Sequence, residues 1–163
     1  MDVKTVVNLD GLKALTAKYP QASENARVRR ITEALLLLER VVKLKTPVGA
    51  GPIHLRDTIF QKVNTAGLAV MGILATPAIY GEPLEMGTAP HFPPIAPIQH
   101  WVEKKLGIEG KQAKSVAFLI ARAISRRGTK GAAMFDKGFM ESEAAIVRIL
   151  EMIPNDICRE VSA

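Results

Sequence analysis

Cysteine is almost absent from this sequence: Cys158 is the only one among 163 residues, so no disulfide within the chain and no thiolate-rich zinc site can form. A reducing cytoplasm suits such a chain. Aromatic residues are scarce as well, at 5%, which leaves little for unpaired bases to stack on. Long apolar runs are missing too. The most apolar stretch, Ala66 to Tyr80, is interrupted by Gly67, Gly72 and Pro77 and falls short of the roughly 20 residues that cross a bilayer. It is expected as buried strand, and no membrane partner is expected. Residues Met1 to Leu9 lack the apolar core behind a basic cluster that marks a secretory signal.

The motifs of several chemistries are also missing. There is no GxGxxG or GxxxxGK[ST] to cradle phosphate, and no GxSxG to raise a serine on a strained turn. Ser115 and Ser125 both fall inside a predicted helix. His54, His91 and His100 can be combined with Glu85 as zinc ligands, but neither the HExxH spacing nor a cysteine cluster accompanies them. The plainer reading has His91 satisfied by backbone in a loop and His100 on a helix face. Asp57, Glu82 and Glu85 can meet across neighbouring strands as a carboxylate pair for hydrolysis, although surface carboxylates close together are more often solvated charge. No catalytic residue, cofactor or metal is therefore assigned.

What is present is an ordinary globular composition, 48% apolar and 23% charged, of a length that fits one domain over residues 1–163. Lys and Arg outnumber Asp and Glu by 22 to 16, giving a pI near 9.6 and favouring an acidic partner, protein or nucleic acid.

The pattern along the chain predicts an α+β fold: a small antiparallel sheet of about three strands packed against a long N-terminal helix and C-terminal helices. Asn8 or Asp10 caps a short helix carrying Leu9, Leu12 and Leu15, which Tyr19-Pro20 ends. Ser23 then offers an N-cap to a helix over 24–45, where Ile31, Leu35, Leu38 and Val42 recur at helical spacing and Leu36 and Leu37 widen the stripe. Arg29 with Glu33, and Glu39 with Lys43, form pairs on its outer face. Thr46-Pro47 stops it, and Gly49, Gly51 and Pro52 make a loop.

Strands are predicted over 54–63, over 68–75 with both faces covered, and over 80–86, with a turn at 64–67. Gly87, Pro90, Pro93, Pro94 and Pro97 make a stiff extended loop. Helices follow over 98–106, ending at Gly107, and over 111–127, with Val116, Ile120, Ala123 and Ile124 inward and Gly128 as the stop. Asp136 caps a last helix with Phe139, Val147, Leu150 and Ile153 before Pro154. Arg122, Arg126, Arg127 and Lys130 gather at the end of the basic helix. They either complement the helix dipole or meet an acidic protein surface or DNA phosphates; a DNA-binding module using residues 111–130 is the alternative function this cluster supports.

One stretch, YGEPLEMGTAPHFPP, is more specific. Its Tyr80, Glu85, Gly87, Thr88, Pro90, His91 and Pro93 resemble the signature of phage neck and tail-completion proteins, the family to which the minor tail protein Z of lambda-type phages is related. The flanks are similar as well: Thr46-Pro47-Val48-Gly49 and Leu55-Arg56-Asp57-Thr58-Ile59 upstream, Trp101 after the proline loop, and Ile120-Ala121-Arg122 to Arg127-Gly128 downstream. The likeness covers roughly residues 10 to 150. It implies a structural protein of the virion, made in the host cytoplasm and placed between the DNA-filled head and the tail. The implied partners are other neck and tail proteins (head-closure, tail terminator or tail tube) and further copies of the chain in a homo-oligomeric ring, with non-specific DNA contact possible; no catalytic residues are implied. Within the motif, Gly87 permits a tight or positive-φ turn, the Thr88 hydroxyl can cap it, and Glu85 can accept from backbone amides in that turn or pair with Arg56. The same residues read equally well as a fold-stabilising corner.

Overall fold

The structure, a computed structural model, describes residues 12–49, 54–67 and 69–162. Its elements run α1 (Leu12–Lys18), α2 (Pro20–Lys45), α3 (Leu55–Thr58), β1 (Phe60–Ala66), β2 (Ala69–Ala75), α4 (Gly81–Met86), β3 (Gly87–Thr88), α5 (Ile95–Leu106), α6 (Gly110–Arg127), β4 (Thr129–Lys130), α7 (Met134–Glu151) and α8 (Ile153–Ser162). The fold is α+β, with a small antiparallel sheet beside a long N-terminal helix and C-terminal helices, and helix takes up 69% of the described residues. Contacts divide the chain into two compact units. One holds α1, α2 to Leu44, the β1–β2 hairpin, α7 from Asp136, and α8. The other holds Lys45 to Thr58 and everything from Thr76 to Phe135.

In the first unit, α1 ends before Tyr19 and α2 opens on Pro20, ahead of the expected start at Glu24. Proline suits the first helical position because its missing N–H would have no partner there. Ser23 is consequently not a cap. It is buried inside the helix, with its N–H donated to the Tyr19 carbonyl at 3.0 Å and its hydroxyl bonded to Thr16 Oγ1 at 3.0 Å. The expected caps Asn8 and Asp10 lie outside the described residues, as does much of the 49–52 loop. Thr46-Pro47 ends α2 as predicted, and Lys43 bonds Glu39 at 2.6 Å. Arg29 does not pair with Glu33: it reaches Glu160 at 3.5 Å and Asp156 at 3.9 Å on α8, while Glu33 is held by Arg30 at 2.8 Å. The charges on α2 are drawn toward α8 because Ala26 buries with Ile153 and Ile157 in one apolar cluster.

The hairpin pairs Phe60 with Ala75 through to Ala66 with Ala69. It lies close on α2, since a Cβ on Gly72 would stand 2.8 Å from Ile31 Cγ2 and 2.9 Å from Leu35 Cδ1. Alternation places Val70 and Leu74 on that same face, while Met71 opposite is exposed. Ile73 and Ala75 on the Met71 face are half-buried, as are Val70 and Leu74, so neither face of the strand is fully covered, where both were expected. The expected strand over 54–63 is split. Leu55 and Ile59 are both buried at a spacing of four, the period of a helix, and Thr58 Oγ1 donates to the Leu55 carbonyl at 2.8 Å, so a turn of helix precedes β1.

In the second unit, the expected strand over 80–86 is α4. Pro83 accounts for this: it removes a ladder bond from a strand, but its missing N–H costs nothing in the first turn of a helix. The proline loop keeps residues 89–94 out of regular structure, yet α5 begins at Ile95 and takes Pro97 into its first turn. It ends at Gly107 in the left-handed region, φ 65°. α5 and α6 pack on each other, and their fully buried residues are Val102, Ala113, Ala117 and Ala121. The inward face of α6 is therefore this alanine stripe, centred away from the expected Val116, Ile120, Ala123 and Ile124; Ala123 is exposed. Small side chains let the neighbouring helix approach closely, which larger residues would prevent. At the C-terminus, Asp136 sits within the first turn of α7, not at its cap, and the expected single helix is two, with Pro154 in the first turn of α8.

Candidate functional site

The signature stretch closes on a second segment of the second unit. β3 pairs antiparallel with β4, Gly87 opposite Lys130 and Thr88 opposite Thr129. The Thr88 N–H donates to Thr129 Oγ1 at 3.1 Å, and the two hydroxyls lie 2.8 Å apart. The Ala132 and Ala133 N–H groups donate to the carbonyls of Leu84 and Glu85 at 2.8 and 3.1 Å. Glu85 Oε2 accepts from the Phe135 N–H at 3.0 Å, so a carboxylate from α4 serves one of the free amides at the N-terminus of α7 and sits at the positive end of its dipole.

Two glycines make this clamp possible. Gly87 has φ 84° and Gly128 has φ 70°, both in the region that L side chains avoid. A Cβ on Gly87 would stand 2.7 Å from the Gly131 nitrogen, and one on Gly128 would overlap the Thr88 carbonyl oxygen and stand 3.0 Å from the Ala89 carbonyl carbon. Backbone meets backbone here with no room for a side chain. Ala133, the one described non-glycine residue at positive φ, at 50°, shows how tightly the segment is constrained.

The clamp gathers Glu85, Gly87 and Thr88, but the roles expected of them shift. Thr88 bonds across to Thr129 instead of capping its own turn. Glu85 accepts from a backbone amide, but one lying beyond β4, and Arg56 stands nearest its own neighbour Asp57, Nε to Oδ1 3.7 Å. Tyr80 is exposed at the start of α4, Pro90 is exposed, and Pro93 is half-buried. His91 Nδ1 donates to the Ala89 carbonyl at 2.9 Å, the backbone satisfaction expected of it, and His100 is exposed on α5. Asp57 lies on α3 and Glu82 and Glu85 on α4, so the strands that were to bring these carboxylates together do not exist. Among the described residues, no three His, Cys, Asp or Glu side chains gather as a metal site, and no helix is long and apolar enough to cross a membrane.

Arg122, Arg126, Arg127 and Lys130 are all exposed. None forms an ion pair with a described residue, and no Asp or Glu occurs between Glu109 and Asp136 to offer one nearby. The α6 surface also carries Phe118 and Leu119, 46% and 61% exposed, with Phe92 tilted against Phe118 at a centroid distance of 6.2 Å. Sequence reasoning missed these residues. Their signal was an apolar run, Val116 to Ala121, too long for one helix face. It likewise missed Thr129 and Gly131 as the partners of the signature, although the glycines at 128 and 131 mark a segment that avoids side chains.

A scan of protein-family models gives no match to this chain, and comparisons with curated proteins and with solved structures give none either.

Proposed function

We propose that this chain is a virion structural protein of a tailed phage, acting at the neck in tail completion and head-tail joining through protein-protein contacts. The observation that carries this reading is the clamp: the stretch resembling the neck-protein signature is spent on backbone closure by Glu85, Gly87, Thr88, Gly128 and Thr129. Such closure builds a rigid presenting platform, since holding the following loop ready lowers the entropy lost on docking. Exposed large apolar side chains accompany it, Ile79 at 94% and Phe92 at 54% among them, as expected of a surface awaiting a partner. Head-closure, tail-terminator or tail-tube proteins are the partners proposed, with copies of this chain in a homo-oligomeric ring, where weak contacts gain strength by repetition.

The test is electron microscopy of particles from a phage carrying an amber stop within this gene. Filled heads and tails that accumulate apart, or unstable tails, are expected. Normal, fully infectious particles would overturn the structural role.

The exposed, unpaired cations Arg122, Arg126, Arg127 and Lys130 favour a second reading, non-specific DNA contact by residues 111–130. Affinity for duplex DNA falling steeply with rising salt would be its mark; duplex affinity unchanged when these four are neutralised would remove it.

A further inference from the structure

Seen down its axis, α6 has two opposite faces. Ala113, Ala117 and Ala121 are fully buried on one. At 3.6 residues per turn, Lys111, Phe118, Leu119, Arg122 and Arg126 fall together on the other, and all five are exposed. Near Lys111 this outer strip hollows into an open groove of about 560 Å³, lined by Ile95 at the start of α5 and by Lys111, Lys114, Phe118 and Leu119. Apolar side chains thus lie in the middle, with unpaired lysines at one end and unpaired arginines at the other. From Lys111 to Arg126 the strip runs about 22 Å, some four turns of helix.

We infer that this strip is a docking groove for an acidic amphipathic helix of a partner protein. Its apolar ridge fills the space at Ile95, Phe118 and Leu119, and its flanking carboxylates meet Lys111, Lys114, Arg122 and Arg126. The charge argues for an acidic occupant. The apolar centre argues against duplex DNA, whose charged backbone is held by cations and hydrogen-bond donors and gains nothing from Leu119 or Ile95. The exposed face of α7 in a second copy is a poor match, because its Glu141, Glu143 and Glu151 are interspersed with Lys137 and Arg148. This assignment rests on the proposal that the chain works by protein-protein contact, and it names the partner chemistry and the place.

The test uses the full chain and labelled synthetic helical peptides of about 18 residues, read by fluorescence anisotropy at near-physiological salt. One peptide has leucines along one face and glutamates elsewhere; a second keeps the glutamates and replaces leucine by glutamine. The first is expected to bind at least about tenfold more tightly than the second, and Leu119→Gln to weaken it by about tenfold. Lys111→Glu with Arg122→Glu should abolish it. Leu119 is exposed, so the glutamine variant keeps its fold, checked by its melting curve; Phe118→Ser gives an independent variant. Equal binding of both peptides, or duplex DNA bound more tightly than the leucine peptide and unaffected by Leu119→Gln, would overturn the groove. Self-association of the free chain abolished by Leu119→Gln would also overturn it, by giving the groove to a second copy. If the peptide fails while the amber phage still leaves heads and tails apart, the groove is wrong and the neck role stands. If particles are normal while the peptide binds, the neck role alone fails.

Discussion

The chain contains two adjacent arginine pairs, Arg29-Arg30 on α2 and Arg126-Arg127 at the end of α6, and they meet opposite fates. Arg30 makes a two-pronged bond to Asp156, Nε to Oδ2 at 2.5 Å and Nη2 to Oδ1 at 2.9 Å, with Glu33 on a third side. The Asp156 side chain is only 6% exposed. The hydrogen bond from Arg30 holds its carboxyl below the usual range against the opposing effect of burial, helped by the positive charges of Arg30, Arg29 and Arg159. The guanidinium of Arg30 is in turn held above its ordinary value, chiefly by that same hydrogen bond. Arg126 and Arg127 have no such partner. What differs is the opposing element: α8 brings Asp156 and Glu160 to α2, while the chain from 110 to 133 contains no acid at all. A paired cation is committed to the fold, whereas an unpaired, exposed one remains available to something outside it.

The clamp and the ion pair should respond to mutation very differently from the α6 surface. The largest effect expected is at Gly128→Ala. A methyl group there overlaps the Thr88 carbonyl, and alanine must also hold φ near 70°; strain and displaced backbone together should cost about 3 kcal/mol or more. Urea unfolding measures it, and a loss below about 1 kcal/mol would show that β3 and β4 separate easily. Asp156→Asn comes next, at about 2 kcal/mol, since it weakens the charged bond that satisfies a partly buried Arg30. Its pH dependence follows from the depressed Asp156 pKa. Below the ordinary carboxyl value of about 3.9 the unfolded chain takes up the proton before the folded one does. The stabilisation is therefore fully present above that value and lost as pH falls through the lower folded value. Melting curves should show wild type and Asp156→Asn converging in acid and separating at neutral pH. A difference independent of pH between 2 and 7 would assign the loss to packing and not to charge.

Much of the fold was legible because helices announce themselves by period and by their ends. Tyr19-Pro20, Thr46-Pro47, Gly107 and Gly128 all end helices where the sequence places the breaks. The two strands expected where helix forms share one cause, which is that short apolar segments do not declare their period. Leu55 and Ile59 fit a strand or a turn of helix equally until Thr58 closes on the Leu55 carbonyl. Over 80–86 the telling residue was Pro83, which a strand would reject and a helical first turn accepts. The candidate site was legible on one side only. Glu85, Gly87 and Thr88 stand out in the sequence, but their partners Thr129 and Phe135 lie 41 and 50 residues on, and no local rule links them. Ser23 failed as a cap because α2 already opens on Pro20, and Arg29 failed to pair with Glu33 because α8 brings Asp156 and Glu160 within its reach, a tertiary neighbour that a helical-wheel argument does not contain.

The smallest expected effect bears most directly on why the α6 cations are there. Arg122 and Arg126 stand four residues apart on an exposed helix face, a like-charge pair that costs about 0.3 kcal/mol at low salt. Arg126 lies in the last turn, where positive charge recovers a similar amount from the helix dipole. Arg122 lies a turn earlier and recovers little. Arg122→Gln should therefore raise stability by about 0.3 kcal/mol at low salt and by nothing at 1 M, where the Debye length is about 3 Å, while Arg126→Gln should leave it nearly unchanged. Thermal melts of both variants at the two salt concentrations decide it. If Arg122→Gln instead destabilises the chain at low salt, its charge is engaged within the fold, and the contrast with Arg30 collapses. If it stabilises, Arg122 is a residue the fold would do better without, which is what a charge held for an external acidic partner should look like.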